Sequence, residues 1–571
     1  MIGKRVLAGL ALFGLIAADA PPQSSVTVFE AAKIITMDDT KPAARFVAVR
    51  AGTIIGVGNS VAALGIPAGS LVTRDRRFAR NVLMPGLIDP HIHPMQAAVM
   101  LNIPFLAPED WDLPGQFYKG ARSPTEYRAM LKAQIAASKD PLFISWGHHE
   151  LFHGPLDRKM LDQMAPGRAV VIWQRSFHEV IVSSAALKML GLDDPAQVEA
   201  LMAKAKADPR HLDLERGVFA ETALAVPLAK LQPFILAPAR ITAGMATLQA
   251  IMRDKGVTTA ADMATGVFAD FDTEATMIKA AFERPDAAAR VLLVPIAARM
   301  PEDMGPWLTA KQARYAGDHI LLTRRVKMFA DGAFFAQSMQ MNAPGYLDGH
   351  EGKWLTEPAV LTPQLDRFWK QGFSLNIHVN GDKGLDVVLD ALAPLPKRDG
   401  QTITLEHLGY STEAQNVRIA AMGLMVSAQP NYIRVLGDVY AAHGLGPERA
   451  GQMNRLGSLE RKAVPLGLHS DFNMAPIDPL YLAWVASNRV TLSGNAPGRA
   501  ERLSLDKALR AITIGAAQVI GLDKVIGSIT IGKKADFAVL DRDPYKAGAA
   551  GLRAVRVKGV VFEGRFTAAG Q

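Results

Sequence analysis

The chain has 571 residues, 49% of them hydrophobic and 21% charged, with a formal net charge of +8 and no cysteine. This excludes a disordered chain and leaves room for a large core with a smaller second domain; the missing thiols exclude disulfides, thiolate ligands and cysteine nucleophiles, so any metal must sit on nitrogen and oxygen. The basic residues form no long run and are not interleaved with aromatics, which speaks against nucleic acid as a partner.

The opening MIGKRVLAGLALFGLIAADA places Lys4 and Arg5 before an apolar run over residues 6–17 and then Ala18-Asp19-Ala20. This pattern predicts a secretory signal over residues 1–20, cleaved after Ala20, and export to the periplasm or beyond. The run falls short of the ~20 residues needed to span a bilayer, so no stable membrane insertion is expected after cleavage. Residues 26–82 alternate short β-rich runs with glycine and polar breaks, as an all-β unit does. Residues 527–571 repeat that pattern and are expected to join the first segment in a small composite β-sandwich.

LMPGLIDPHIH, residues 83–93, reads as a buried strand ending in a turn. Alternate strand residues project to one side, so His91 and His93 can face one spot, as a metal requires. A lone H-x-H is better explained by one histidine closing the strand and one in solvent, so more ligands are needed. Seven further strand candidates follow: GVTTAADM, ARVLLVPIA, RRVKMFADG, FSLNIHVNGD, TITLEHL, LMVSAQP and VPLGLHSDF. Separated by stretches of helical period, they predict an α/β fold, a parallel (β/α)8 TIM barrel over residues 83–526. The gap after the first strand predicts an insertion over about residues 96–240, rich in helix formers such as SPTEYRAMLKAQIAASK.

Lys327, His378, His407 and Asp471 fall at or near the ends of those strands. Each has an ordinary reading as a snorkelling lysine, a hydrogen-bonded core histidine or a helix cap. A barrel nevertheless brings all C-terminal strand ends to one mouth, where such residues converge. Asp89 could hold a ligand histidine from behind or serve a turn; Asn380 and Asp382 read as loop groups. His149-Glu150-Leu151-Phe152-His153 matches the H-E-x-x-H zinc-peptidase pattern, but Gly147, Gly154 and Pro155 leave barely two turns of helix for it.

The motifs PGLIDPHIH, VKMFADG, NIHVNGD, TLEHL, HSD and TIGAAQVIGLDKVIGSITIGKKADFAVLD together resemble the amidohydrolase superfamily, in its amidohydrolase 3 branch, which includes N-substituted formamide deformylases. The resemblance implies a distorted barrel with one or two divalent metals at its mouth, two zinc ions in the fullest form. It implies that His91 and His93 hold the first metal, that Lys327 bridges as a carbamate, that His378 and His407 hold the second, and that Asp471 ligates and shuttles protons. A desolvated neutral lysine can take up carbon dioxide to become an anion, which offsets the charge of two cations held by neutral imidazoles. It also implies a substrate-side role for His178, and it leaves His469 as a departure, because relatives often read GSD where this chain has Leu468-His469-Ser470-Asp471.

The expected activity is hydrolysis of an amide, N-acyl, N-formyl or carbamate C–N bond in a small molecule. The alternatives are lactonase, esterase or isomerase chemistry at similar ligands, an H-E-x-x-H peptidase, and an inactive barrel that only binds. Aromatic residues of the insertion and the Met/Phe cluster from Met328 to Met341 suggest a hydrophobic or aromatic substrate, although most of these side chains fit a core role. A homo-oligomer is compatible with the chain.

Overall fold

Gly86 divides the stretch 83–93 into two strands that serve different sheets. The computed structural model describes residues 25–570; the leader expected over residues 1–20 lies outside the described residues. Val82–Pro85 pairs with Lys33 and Ile34 on one side and with Phe537–Leu540 on the other. Leu87–Ile92 opens the second sheet system. A Cβ at position 86 would lie 2.1 Å from Thr258 Oγ1, so only glycine allows this approach. The single strand read from the sequence is therefore two, and the terminal sheet extends to Pro85.

That terminal sheet has eight strands drawn from both ends of the chain. They form one hydrogen-bonded sheet, not two separate ones. The edge strand Thr53–Gly58 bonds back to the segment before Phe537, with Ile54 N–H donating to Lys533 O and Gly532 N–H to Ile54 O. The curled sheet encloses its own apolar cluster of Phe29, Val47, Ile54, Phe78, Phe537 and Val561.

The remaining framework is a set of parallel strands: β1 (Leu87–Ile92), β2 (Val257–Thr265), β3 (Arg290–Pro295), β4 (Arg325–Phe329), β5 (Ser374–Val379), β6 (Ile403–His407), β7 (Met425–Ala428) and β8 (Leu466–Leu468). Seven of the eight sequence candidates contain one of them whole, and the second, GVTTAADM, ends two residues short of the end of β2. β1 to β3 form one sheet, joined by a short segment Ile320–Leu322 beside β3 that the sequence reading did not separate from β4. β4 to β8 form the other. The bridge between Ile296 and Lys327 links β3 to β4, and Asp471 N–H donates to His91 O across β8 and β1 at 2.9 Å. The order is TIM-barrel-like. Nearly every strand residue is buried, as expected when helices cover one face and the other lines the interior.

The insertion is less helical than its composition suggested. It carries a five-stranded sheet in the order Leu212–Asp213, Val218–Ala220, Glu179–Val182, Ala169–Gln174, Leu142–His148. Its β-branched and aromatic runs, LFISWGH, AVVIWQ and EVIV, prefer a pleated buried surface. The predicted helices are present too: Ser123 caps Pro124–Ala137 by accepting from Glu126 N–H, and Asp194 caps Pro195–Lys204. Trp111, Phe143, Trp146 and Trp173 are buried in its core, whereas Phe117 is exposed.

Candidate active site

β1 delivers His91 and the residue after its end, His93; β6 delivers His407; the turn after β8 delivers His469 and Asp471. The carboxylate of Asp471 is the hub. Its Oδ1 lies 3.2 Å from His93 Nε2 and 3.7 Å from His91 Nε2, and its Oδ2 lies 3.7 Å from His407 Nδ1. The His91 ring packs at 5.1, 4.7 and 4.6 Å from the rings of His93, His407 and His469. His378 touches this group through His407, ring to ring at 4.5 Å, while its Nε2 accepts from Asn380 Nδ2 at 3.1 Å. Lys327 is 1% exposed, and its Nζ has no hydrogen-bond partner among the described residues. Burial pushes its pKa down to about 8, opposed by the charges of Glu406 and Asp471.

The electrostatics favour cation binding. Burial and the Lys327 charge hold His91 well below the usual imidazole range, and burial together with neighbouring His378 does the same for His407, so both rings are neutral, the form in which an imidazole can ligate. His93 goes the other way. Burial alone would lower it, but hydrogen bonding and charge from Asp262 and Asp471 push it up to about 9. Two carboxylates thus call for a positive charge beside His93, which a proton or a metal ion can supply.

Two groups of donors stand close enough to share an ion: His91, His93 and Asp471, and His91, His407 and His469. His91 Nε2, which faces Asp471, is buried without a hydrogen-bond partner, as a ligand nitrogen is before a metal is counted. This donor set of imidazoles and one carboxylate fits a divalent transition ion. His378 belongs to neither group.

Sequence reasoning missed Glu406. Its Oε2 accepts from His91 Nδ1–H at 2.7 Å, and its Oε1 accepts from Asn376 Nδ2 at 2.6 Å. This contact fixes the His91 ring with Nε2 towards Asp471. Strand alternation should send Glu406 and His407 to opposite faces, but His407 and Leu408 have φ of 72° and 45°. That left-handed turn brings both side chains inward. Asp471 is left-handed as well, with φ of 48°, and such backbone is retained where function demands it. Asp89 does not reach the histidine rings. Its Oδ1 accepts from Ser470 N–H at 3.1 Å and from His91 N–H at 3.4 Å, so it ties β8 to β1. Asn380 reaches His378, and Asp382 Oδ1 accepts from Asn342 N–H at 2.9 Å as a loop group.

The insertion closes one side of the mouth. Arg175, fully buried, pairs with Glu109 and donates to the carbonyls of Asn473 and Met474 at 2.9 and 3.0 Å, just past Asp471. Its guanidinium stacks on Phe335 and Trp146 at 4.4 and 4.6 Å. His178 Nδ1 donates to Glu221 Oε2 at 2.7 Å. The Met/Phe cluster after β4 is mostly core: Phe334 stacks on Tyr432 and Tyr440, and Met339 is fully buried. The peptidase pattern fails on geometry. Glu150–His153 is a single turn, and both His153 nitrogens are engaged, Nδ1 by His149 N–H at 3.0 Å and Nε2 by the Ala121 carbonyl at 2.9 Å.

Residues 81–568 match the model of the Amidohydrolase family. The protein LONG AFTER FAR-RED 3 of Arabidopsis thaliana is 25% identical over 534 residues, covering 90% of this chain and 86% of that one. The N-substituted formamide deformylase of Arthrobacter pascens is 24% identical over 265 residues, 46% of this chain and 49% of that enzyme. The crystal structure of an uncharacterized metal-dependent hydrolase from Pyrococcus horikoshii OT3 superposes with a TM-score of 0.69 at 21% identity, covering 92% of this chain and 99% of that one.

Proposed function

The chain belongs to the Amidohydrolase family, and from that premise we propose that it hydrolyses an amide, N-acyl, N-formyl or carbamate C–N bond of a small, hydrophobic or aromatic molecule. The observation that carries this reading is Asp471, whose carboxylate lies within 4 Å of His91, His93 and His407 at the mouth of the strands. His91, His93 and Asp471 would hold one divalent ion, with zinc as the proposed metal. Lys327 in carboxylated form, His378 and His407 would hold a second; the buried, unpartnered amine of Lys327 supports this, and the engagement of His378 by Asn380 weighs against it. When bound, such ions polarise a carbonyl and acidify water.

The remaining work falls to side chains. Asp471 Oδ takes the proton from the attacking water and gives it to the departing nitrogen, a role worth ~100 to 10,000-fold. Glu406 keeps His91 oriented. His178, anchored by Glu221, offers its other ring nitrogen to the substrate carbonyl. Arg175 holds the turn that carries Asp471 and helps exclude water. The deformylase relative supports N-formyl amines as substrates to try first, and the pattern of residues 1–20 supports export.

The test is a panel of N-formyl, N-acetyl and carbamate derivatives of aromatic amines, read by amine release. The proposal expects turnover that a chelator abolishes, that added zinc restores, and that Asp471→Asn lowers by at least ~100-fold. Turnover of lactones or esters with no C–N cleavage would overturn it in favour of the lactonase or esterase reading.

A further inference from the structure

We propose that His469 is itself a metal ligand, presenting Nε2 to an ion shared with His91 and His407, and that Ser427 and Glu406 hold its ring in the tautomer this requires. The inference rests on the metal-dependent reading above, adds a donor outside the set that the motifs imply, and gives His407 to the ion that His91 holds in place of a second one.

His469 is fully buried, with its ring 4.6 Å from that of His91 and 5.1 Å from that of His407. Its Nε2 stands 3.2 Å from His407 Nδ1. Two imidazole nitrogens bound to one zinc-sized ion at ~2.0–2.1 Å and tetrahedral angles are about 3.3 Å apart, so this spacing suits an edge of a coordination sphere.

The hydrogen bonds behind the ring decide its tautomer. Ser427 Oγ is 2.8 Å from His469 Nδ1. Glu406 Oε2 lies 3.9 Å from the same His469 Nδ1, and a carboxylate on that side favours a proton on that nitrogen. Ser427 Oγ therefore accepts Nδ1–H from His469. Nε2 then carries a lone pair that faces the site. The same carboxylate accepts Nδ1–H from His91 directly. One buried anion thus orients two imidazoles, the arrangement that raises ligand basicity at metal centres. A set of three imidazoles selects zinc, cobalt, nickel or copper over magnesium, calcium or manganese.

The test compares the full-length wild type, His469→Gln and Ser427→Ala for zinc affinity by chelator competition and for the visible absorption of the Co2+-loaded protein. His469→Gln is expected to lose zinc affinity by roughly 100-fold or more and to alter the Co2+ spectrum, and Ser427→Ala to lose roughly 10–100-fold. Ser427→Ala leaves the ring in place and carries the test if His469→Gln does not keep the wild-type circular dichroism. Wild-type affinity and an unchanged Co2+ spectrum in both variants would overturn the proposal and leave His469 as a donor to His407. A wild type that binds neither ion would overturn the metal-dependent reading itself, so the two failures are distinguishable.

Discussion

At the residue scale, the site is organised by a carboxylate that touches no substrate. Glu406 sits behind His91, at 2.7 Å from Nδ1, and beside His469, at 3.9 Å from its Nδ1. Glu406→Gln is expected to weaken metal binding by roughly 10–100-fold with little change in secondary structure, measured by chelator competition and circular dichroism. His91, His93 and Asp471 were legible because H-x-H and HSD carry them as local patterns, whereas Glu406 was hidden by the left-handed turn at His407 that breaks strand alternation. His469 was visible as an oddity, but its partners come from β6 and β7, 42 or more residues away in the chain.

His178 and Glu221 form a second residue-scale test. Burial lowers the His178 pKa, but the Glu221 carboxylate raises it more, leaving it above its ordinary 6.5; burial raises Glu221, but His178 pulls it below its ordinary 4.5. The histidine's contribution is fully present below pH 6.5 and fades as pH rises through its raised value. The glutamate's is present above pH 4.5 and is lost as pH falls through its lowered value. The Tm difference between wild type and His178→Gln should therefore be largest between about pH 4.5 and 6.5 and shrink towards alkaline pH. A difference that grows with pH would contradict the pairing.

At the scale of elements, two joints carry the architecture. Gly86 lets the terminal sheet pass directly into β1 against Thr258. Gly86→Ala is expected to cost roughly 1–3 kcal/mol in chemical denaturation, with partial recovery in the double variant that adds Thr258→Ala. Arg175 joins the insertion to the turn after β8. Arg175→Ala leaves Glu109 buried and unpaired, and a loss of roughly 3–5 kcal/mol is expected. The parallel strands were legible in the sequence because each lies in a short run rich in apolar or β-branched residues, set apart by stretches of helical period. The insertion's sheet was not, because its strands are divided by helical stretches whose composition dominates the segment.

At the scale of the whole molecule, the two ends of the chain fold as one unit with the strands between them. Val82–Pro85 takes Phe537–Leu540 as a sheet neighbour, and buried Arg290, at the start of β3, pairs with Asp536 and, at 3.1 Å, with Glu563. Truncation before residue 536 would strip the Val82–Pro85 edge and leave Arg290 unpaired. Such a chain is expected to be insoluble or rapidly proteolysed, whereas removal of residues 1–20 should leave thermal unfolding unchanged. The pairing of distant termini was legible from matching strand-rich patterns, but its single curled sheet depends on backbone bonds between residues nearly 480 apart that no local pattern reveals.

The central claim is that the strand ends converge on a divalent metal. Elemental analysis of purified wild type beside the His91→Ala/His93→Ala double variant, both grown with added zinc, tests it most directly. The account predicts at least about one tightly held ion per wild-type chain and its loss in the variant, with circular dichroism preserved. No bound ion in the wild type, or the same content in both proteins, would contradict it.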